Sequence, residues 1–390
     1  MEPWLSIQAR ERPSSPAVDG VTYADLHARA AVRAEDLRAG EPVPIALPPG
    51  LAFAVELHAC LLARAPAIPV DLRLPAEEQV RRAAARPAGE DVALVMFTSG
   101  TSAAAKPIEL TRDNVLANAE GTARALGVTK ADRWLCPLPL VHVGGLMILL
   151  RAAIGGFAVL LDPPFDPARV AARLNAGDAT LVSMVPTMLA RVLDAGLREP
   201  AELRAVVVGG APLEAPLRAR ALDAGVRVVD AYGLTETASQ ITSDGRPFDN
   251  ARIRLAGDGE ILVAGPMVAG GEELATGDLG RFEDGRLVVA GRKADTIVTG
   301  GENVAPSQVE AVLLAHPAVA DAGVFGRPDP EWGERVTAHV VLRSGASATP
   351  EQLREWCTER LARFQVPKTL VLTDTLPRTT SGKLLRRSMR

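Results

Sequence analysis

The sequence has 390 residues, 47% of them hydrophobic, and a formal charge of −4. That length suits about two or three domains, with apolar residues enough for a sizeable core. The acidic balance excludes a general nucleic-acid binder, which carries a basic face, and no apolar run is long enough to span a bilayer.

The basic residues are nearly all arginine: Lys106, Lys130, Lys293, Lys368 and Lys383 are the five lysines among 43. A lysine inside a polar loop therefore stands out, which singles out Lys106 and Lys383. Cys60, Cys136 and Cys357 are odd in number and far apart. They suit reduced thiols in a cytoplasmic protein and not a disulfide framework or a zinc site. Met1-Glu2-Pro3-Trp4 carries no basic run followed by an apolar core, so no signal peptide is expected.

In chain order, Trp4 to Arg10 reads as a short helix, and Thr22 is placed to cap a helix running to Leu37. Ile45 to Leu47 reads as a strand, Phe53 to Ala63 as an apolar helix, Ala67 to Val70 as a strand. Pro75 to Ala85 reads as a helix opened by proline. Val92 to Val95 is a buried-strand pattern, and Ile108 to Leu110 a second one. Between them runs Met96-Phe97-Thr98-Ser99-Gly100-Thr101-Ser102-Ala103-Ala104-Ala105-Lys106-Pro107. A loop of hydroxyls, glycine and lysine can turn several N–H and O–H groups toward one anion. It does not match GxxxxGK[ST], and its plain alternative is a polar surface loop.

Thr111 caps a helix to about Ala125, and Leu146 to Leu150 is an apolar run that ends at Arg151. From 157 to 231 the pattern alternates. Strands Ala158–Leu161, Thr180–Val185, Ala205–Val208 and Val226–Asp230 are separated by helices Pro167–Ala176, Pro186–Ala195 and Pro212–Ala224. This predicts βαβ units and a largely parallel sheet, with ligands at the carboxyl ends of strands. Beyond 252 the pattern changes to short strands, with a hairpin turn at Glu283-Asp284-Gly285. A boundary near Gly291-Arg292-Lys293-Ala294-Asp295 leads to a small α+β unit. There a helix starts near Pro306, strands cover Ala322–Phe325 and Val336–Leu342, and a helix runs from Pro350 to Leu361.

Five stretches carry chemistry. The first is the Lys106 loop. The second is Ala231-Tyr232-Gly233-Leu234-Thr235-Glu236-Thr237, which offers an aromatic ring for a base, a hydroxyl for a phosphate and a carboxylate for Mg²⁺. The third is Thr276-Gly277-Asp278, where an aspartate in a tight turn can meet ribose hydroxyls or merely cap the turn. The fourth is Gly291-Arg292 followed by Gly300-Gly301-Glu302-Asn303. The fifth is Lys383 in a basic tail.

Taken in this order, the stretches resemble the acyl-adenylate-forming superfamily of acyl-CoA synthetases, peptide-synthetase adenylation domains and luciferases, from about residue 92 onward. The resemblance implies an α/β fold: a large N-terminal domain of βαβ-layered sheets with a small β-subdomain (1–291), and a small mobile α+β C-terminal domain (292–390). It implies ATP and Mg²⁺ as cofactors and coenzyme A as a substrate. A carboxylate attacks the α-phosphate of ATP to give an acyl-AMP and pyrophosphate, and a thiol then displaces AMP. Thr98, Ser99, Gly100, Thr101, Ser102 and Lys106 look like the phosphate loop. Gly209, Gly210, Ala211 and Pro212 look like the turn beside adenine and the acyl group. Ala231, Tyr232 and Gly233 look like the adenine platform, with Thr235 on the α-phosphate and Glu236 on the metal. Asp278 and Arg292 look like ribose contacts, and Lys383 like the lysine that bridges carboxylate and α-phosphate. The hinge aligns with Ala294. The chain departs from the family pattern in its loop, where Ser102, Ala103 and Ala105 stand at Thr, Gly and Pro positions.

Within the superfamily, the stretches Pro137 to Leu146, Val182 to Thr187 and Thr237 to Ile241 are similar to those of o-succinylbenzoate–CoA ligases of menaquinone biosynthesis. His142 then lies at the acyl pocket, beside Gly209, or is a structural histidine. Arg151, Ser239 and Gln240 are candidate contacts to a second carboxylate, Arg151 having a surface helix end as its plain alternative. The partners expected are a small-molecule carboxylic acid and CoA, with no nucleic acid and no membrane span, and with a homodimer left open. Three alternatives remain: a ligase for another aromatic or medium-chain acid, an adenylation enzyme loading a carrier-protein thiol, or a nonenzymatic nucleotide-binding protein.

Overall fold

The computed structural model describes residues 2–98, 105–378 and 384–389. The chain is mixed α/β and folds into two compact units. The first comprises residues 1–213, 217–253 and 263–274, the second 214–216, 254–262 and 275–390.

The first unit is built on a nine-stranded sheet. Its order is Arg246–Pro247, Ser239–Ser243, Val228–Leu234, Ala205–Gly209, Leu181–Met184, Arg133–Cys136, Ala158–Leu161, Pro16–Val18 and Val21–Thr22. The central strands pair in parallel. Ala205–Val208 and Leu181–Met184 are buried at every position, which is why they read as unbroken apolar runs: helices cover both faces. A second sheet orders Val43–Ile45, Ala67–Pro69, Val92–Phe97 and Pro107–Thr111. Trp134, Tyr23, Phe53 and Phe157 are among the fully buried large side chains of this core.

Local chemistry sets the element ends. Thr22 caps Tyr23–Ala34 by accepting from Asp25 N, and Thr111 with Asn114 forms a reciprocal capping box on Arg112–Leu126. Several expected bounds shift. The helix expected from Pro212 starts at Ala215, and the strand expected to stop at Asp230 runs on to Leu234 because Ser239–Ser243 folds back and pairs with it. The helix expected to end near Arg151 continues through Val143–Gly155.

The second unit holds most of a four-stranded sheet ordered Arg252–Leu255, Glu260–Ala264, Leu274–Glu283 and Arg286–Arg292. The turn at Glu283 to Gly285 joins its last two strands. It also holds a five-stranded sheet of Glu302–Val304, Ile297–Thr299, Gly333–Leu342 and Val319–Asp329, with Thr369–Leu372 added in parallel to Gly333–Leu342. Helices Pro306–Leu314 and Pro350–Thr358 complete it. Cys60, Cys136 and Cys357 are free and buried. No helix among the described residues is long and apolar enough to cross a membrane.

Candidate active site

Strands Val92–Phe97 and Pro107–Thr111 pair antiparallel, bringing Phe97 opposite Pro107. Thr98 N donates to Lys106 O at 3.2 Å, so the two ends of the hydroxyl-rich loop are tied together. Lys106 is exposed there. Ser99, Gly100, Thr101 and Ser102 lie outside the described residues, as does Ala103.

Gly209 ends its strand opposite Ala231, and a Cβ at Gly209 would come 3.0 Å from Ala231 O. Gly210 follows with a positive φ of 81°, which turns the chain toward Ala211 and Pro212. Tyr232 and Gly233 lie in Val228–Leu234 and pair with Thr242 and Gln240 of the returning strand. The approach is so close that a Cβ on Gly233 would fall 2.0 Å from Ser239 O, so only glycine fits. Thr235–Thr237 forms one 3₁₀ turn. Thr237 Oγ1 receives Leu234 N at 3.0 Å and lies 2.7 Å from Ser239 O, which fastens this turn. Glu236 O accepts from Ala269 N at 2.8 Å. Ala238 and Ser239 then adopt φ of 52° and 109°, a left-handed pair that L-residues rarely adopt.

Asp230, just before this motif, is a carboxyl that sequence reasoning passed over. Burial pushes it up to about 6, Arg218 opposes that rise, and Asp244 adds to it. Its signal was an acid directly ahead of the aromatic platform.

His142 caps helix Val143–Gly155 by position, and its carbonyl accepts from Gly145 N and Leu146 N. A Cβ on Gly145 would meet Pro139 O at 2.5 Å, so glycine lets the Pro137–Leu140 segment lie against the helix start. Arg73 Nη2 lies 3.5 Å from His142 Nε2, and Arg73 is itself held by Asp71 through two contacts of 2.7 Å. Burial first, then the Arg73 charge, lowers the His142 pKa, with Asp71 opposing. At neutral pH the ring is uncharged, and its Nε2 faces a group that only donates.

Arg151 is not a surface residue, which corrects the plain alternative. It is 4% exposed, in the middle of its helix, with Nη2 donating to Asn118 Oδ1 at 2.7 Å. Its guanidinium lies 6.0 Å over the Trp134 ring. Burial pulls it down to about 9, so it remains a cation at neutral pH. Asn118 in turn donates to Thr237 O and Gln240 O. The fold thus links Arg151 to the strand carrying Ser239 and Gln240, residues nearly ninety positions away in sequence. Arg151 Nε and Gln240 Nε2 are both buried donors without a hydrogen-bond partner.

In the second unit, Asp278 and Arg292 sit opposite each other across a strand pair, with Asp278 Oδ1 2.7 Å from Arg292 Nε. Thr276 Oγ1 donates to Ile261 O and receives Asp278 N, and Gly277 has a φ of 71°. These two residues therefore shape the turn that presents Asp278. Lys293 Nζ reaches Asp258 and Glu260, and Lys293–Asp295 forms a 3₁₀ turn around Ala294. Gly300 and Gly301 make the tight turn between Ile297–Thr299 and Glu302–Val304, with Trp332 packed behind Gly300. Lys383 lies outside the described residues.

A metal at Glu236 fits the chemistry of the site. Among the described residues no three His, Cys, Asp or Glu side chains form a protein cage. Magnesium is commonly held by one or two carboxylates together with substrate phosphates, an arrangement for which the single carboxylate of Glu236 is enough.

Residues 78–277 match the AMP-binding enzyme family, and residues 308–383 match the AMP-binding enzyme C-terminal domain. The chain is 38% identical over 339 residues to a 2-succinylbenzoate–CoA ligase of Bacillus cereus, covering 77% of this chain and 70% of that protein. Its fold is similar to o-succinylbenzoate CoA synthetase (MenE) from Bacillus subtilis in complex with the acyl-adenylate intermediate OSB-AMP. There the TM-score is 0.90 at 31% identity, covering 100% of this chain and 98% of that one. The same enzyme in complex with ATP and magnesium ion gives a TM-score of 0.88 at 30% identity, covering 99% of each chain.

Proposed function

This chain belongs to the AMP-binding enzyme family, and on that premise we propose that it is an ATP-dependent acid–CoA ligase acting on o-succinylbenzoate. In the first step a carboxylate oxygen bonds to the α-phosphorus while the bond to pyrophosphate breaks. In the second, the CoA sulfur bonds to the acyl carbon and AMP leaves. Both partners of the first step are anions, so the barrier falls where cations and donors gather around the phosphates.

The roles of the residues follow the resemblance, motif by motif. Thr98 and Lys106, with Ser99 to Ser102, grip the outer phosphates. Tyr232 stacks the adenine beside Gly209–Pro212, Thr235 meets the α-phosphate, and Asp278 and Arg292 take the ribose. Glu236 would hold Mg²⁺, which neutralises phosphate charge when bound. Lys383 bridges the two reacting anions. His142, kept neutral, borders the acyl group. Ala294 is the pivot of the C-terminal domain that begins at 292, with Lys293 and Asp295 beside it. The buried thiols suit a cytoplasmic setting.

One observation carries the choice of acid: among the described residues, the buried donors without partners include Arg151 Nε and Gln240 Nε2, on two residues that Asn118 links. Buried polar groups are rarely left so, and a second carboxylate supplies the acceptors they lack. The likeness to 2-succinylbenzoate–CoA ligases supports the same reading. The test is AMP release with ATP, CoA and a panel of acids. O-succinylbenzoate is expected to exceed benzoate and medium-chain acids by on the order of 10²–10⁴ in kcat/KM, because a monoacid leaves the donors unpaired. Preference for a monocarboxylate would overturn the assignment.

A further inference from the structure

Helix Arg112–Leu126 follows directly on the strand that leaves Lys106. It carries Asn114 and Asn118 one turn apart, so both project from one face, and both are buried. Each uses its amide to tie down a different segment flanking Glu236.

Asn118 Nδ2 donates to Thr237 O at 3.0 Å and Gln240 O at 2.8 Å. These carbonyls flank Ala238 and Ser239, the two residues with positive φ. Such a backbone persists only where its neighbours over-determine it, and one amide spans both sides. Which end of that amide faces the turn is fixed by Arg151. A guanidinium only donates, so Asn118 Oδ1 must face Nη2, and the two amide hydrogens must face the carbonyls. Asn114 works on the other segment. Its Oδ1 accepts from Thr111 N, and its Nδ2 donates to Pro266 O at 2.8 Å and Val268 O at 3.0 Å. The next residue along, Ala269, donates its N–H to Glu236 O.

We infer that Asn114 and Asn118 are positioning residues for Glu236, a bracket on the helix that follows the Lys106 strand and holds from both sides the backbone turn carrying the metal-binding carboxylate. The inference rests on the reading of Glu236 as the Mg²⁺ carboxylate. Both side chains are committed to partners within the protein, so they act through the turn. Their effect is to keep the Glu236 turn in register with the chain that carries Lys106, so that metal and phosphates are met by one frame.

The experiment measures binding of an α,β-methylene ATP analogue by titration calorimetry, with Mg²⁺ and with EDTA. Mn²⁺ binding to the same complex is followed by electron paramagnetic resonance. Glu236→Gln sets the scale for losing the metal-dependent gain in affinity. Asn118→Leu and Asn114→Leu are expected to lose about tenfold of that gain and of Mn²⁺ affinity, as when an outer-shell partner of a metal ligand is removed, while affinity in EDTA stays within about twofold. Asn118→Ser and Asn114→Ser, less disruptive to the core, are expected to shift the same way and serve if the leucine variants fail to fold. Folded asparagine variants that keep the full gain, beside a Glu236→Gln that loses it, overturn the inference alone. A Glu236→Gln that itself keeps the full gain overturns the metal reading and the bracket with it.

Discussion

Asp278 Oδ1 and Arg292 Nε lie 2.7 Å apart, on residues directly opposite in the register of Leu274–Glu283 and Arg286–Arg292. Asp278 is buried, and Arg292 also donates to Thr276 O. The sheet thus holds a carboxylate and a guanidinium side by side. Asp278→Asn keeps the size and removes the charge. It is expected to raise KM for ATP about tenfold, the cost of a hydrogen bond to a charged group, with a smaller change in kcat. An unchanged KM for ATP would remove Asp278 from the ribose role.

Lys383 is assigned to the adenylation step alone. Lys383→Ala is expected to abolish pyrophosphate exchange, a loss on the order of 10²-fold or more for a group aimed at developing charge. Thioester formation from supplied acyl-AMP should survive. Equal loss in both half-reactions would contradict the assignment of Lys383 to the first step alone.

His142 gives a pH prediction with a definite sign. Burial and then Arg73 hold its pKa below the ordinary histidine value. Arg73→Met removes the neighbouring cation and leaves Asp71 unpaired beside the ring, so both changes favour the protonated form. The His142 resonance in an NMR titration should move to higher pH, and the acid limb of thioester formation should move with it. A resonance that stays in place would show that burial alone sets the imidazole.

His58 is fully enclosed in helix Leu51–Leu62, and burial lowers it to about 4. The folded protein refuses the proton that the unfolded chain accepts. This group's contribution is therefore complete above pH 6.5 and declines as pH falls toward 4, by about 3 kcal/mol across that window. Denaturant unfolding from pH 7 to 4 should show the decline, and His58→Gln should flatten it. A variant with the same acid-side slope would assign the loss to other groups.

The parallel core was legible in the sequence because strands such as Ala205–Gly209 are covered on both faces and must be apolar throughout. Caps such as Thr22 and Thr111 were legible because their chemistry is local. The strands Pro16–Val18 and Val21–Thr22 were not, being too short to set a period. Nor was the burial of Arg151, since its partner Asn118 is 33 positions away and their meeting is a product of the tertiary fold. The candidate motifs stood out in the sequence by their order along the chain, whereas Asn114 and Asn118 looked like ordinary polar helix positions.

The three enclosed thiols have a practical corollary. Burial raises Cys60 and Cys136 to about 12 and Cys357 to about 11, so at neutral pH almost none of the reactive thiolate exists. The native protein is expected to give a low background in maleimide labelling. A cysteine substituted at an exposed position would take a dye while the native three stay silent, so a site-specific fluorescent label needs none of the native cysteines removed.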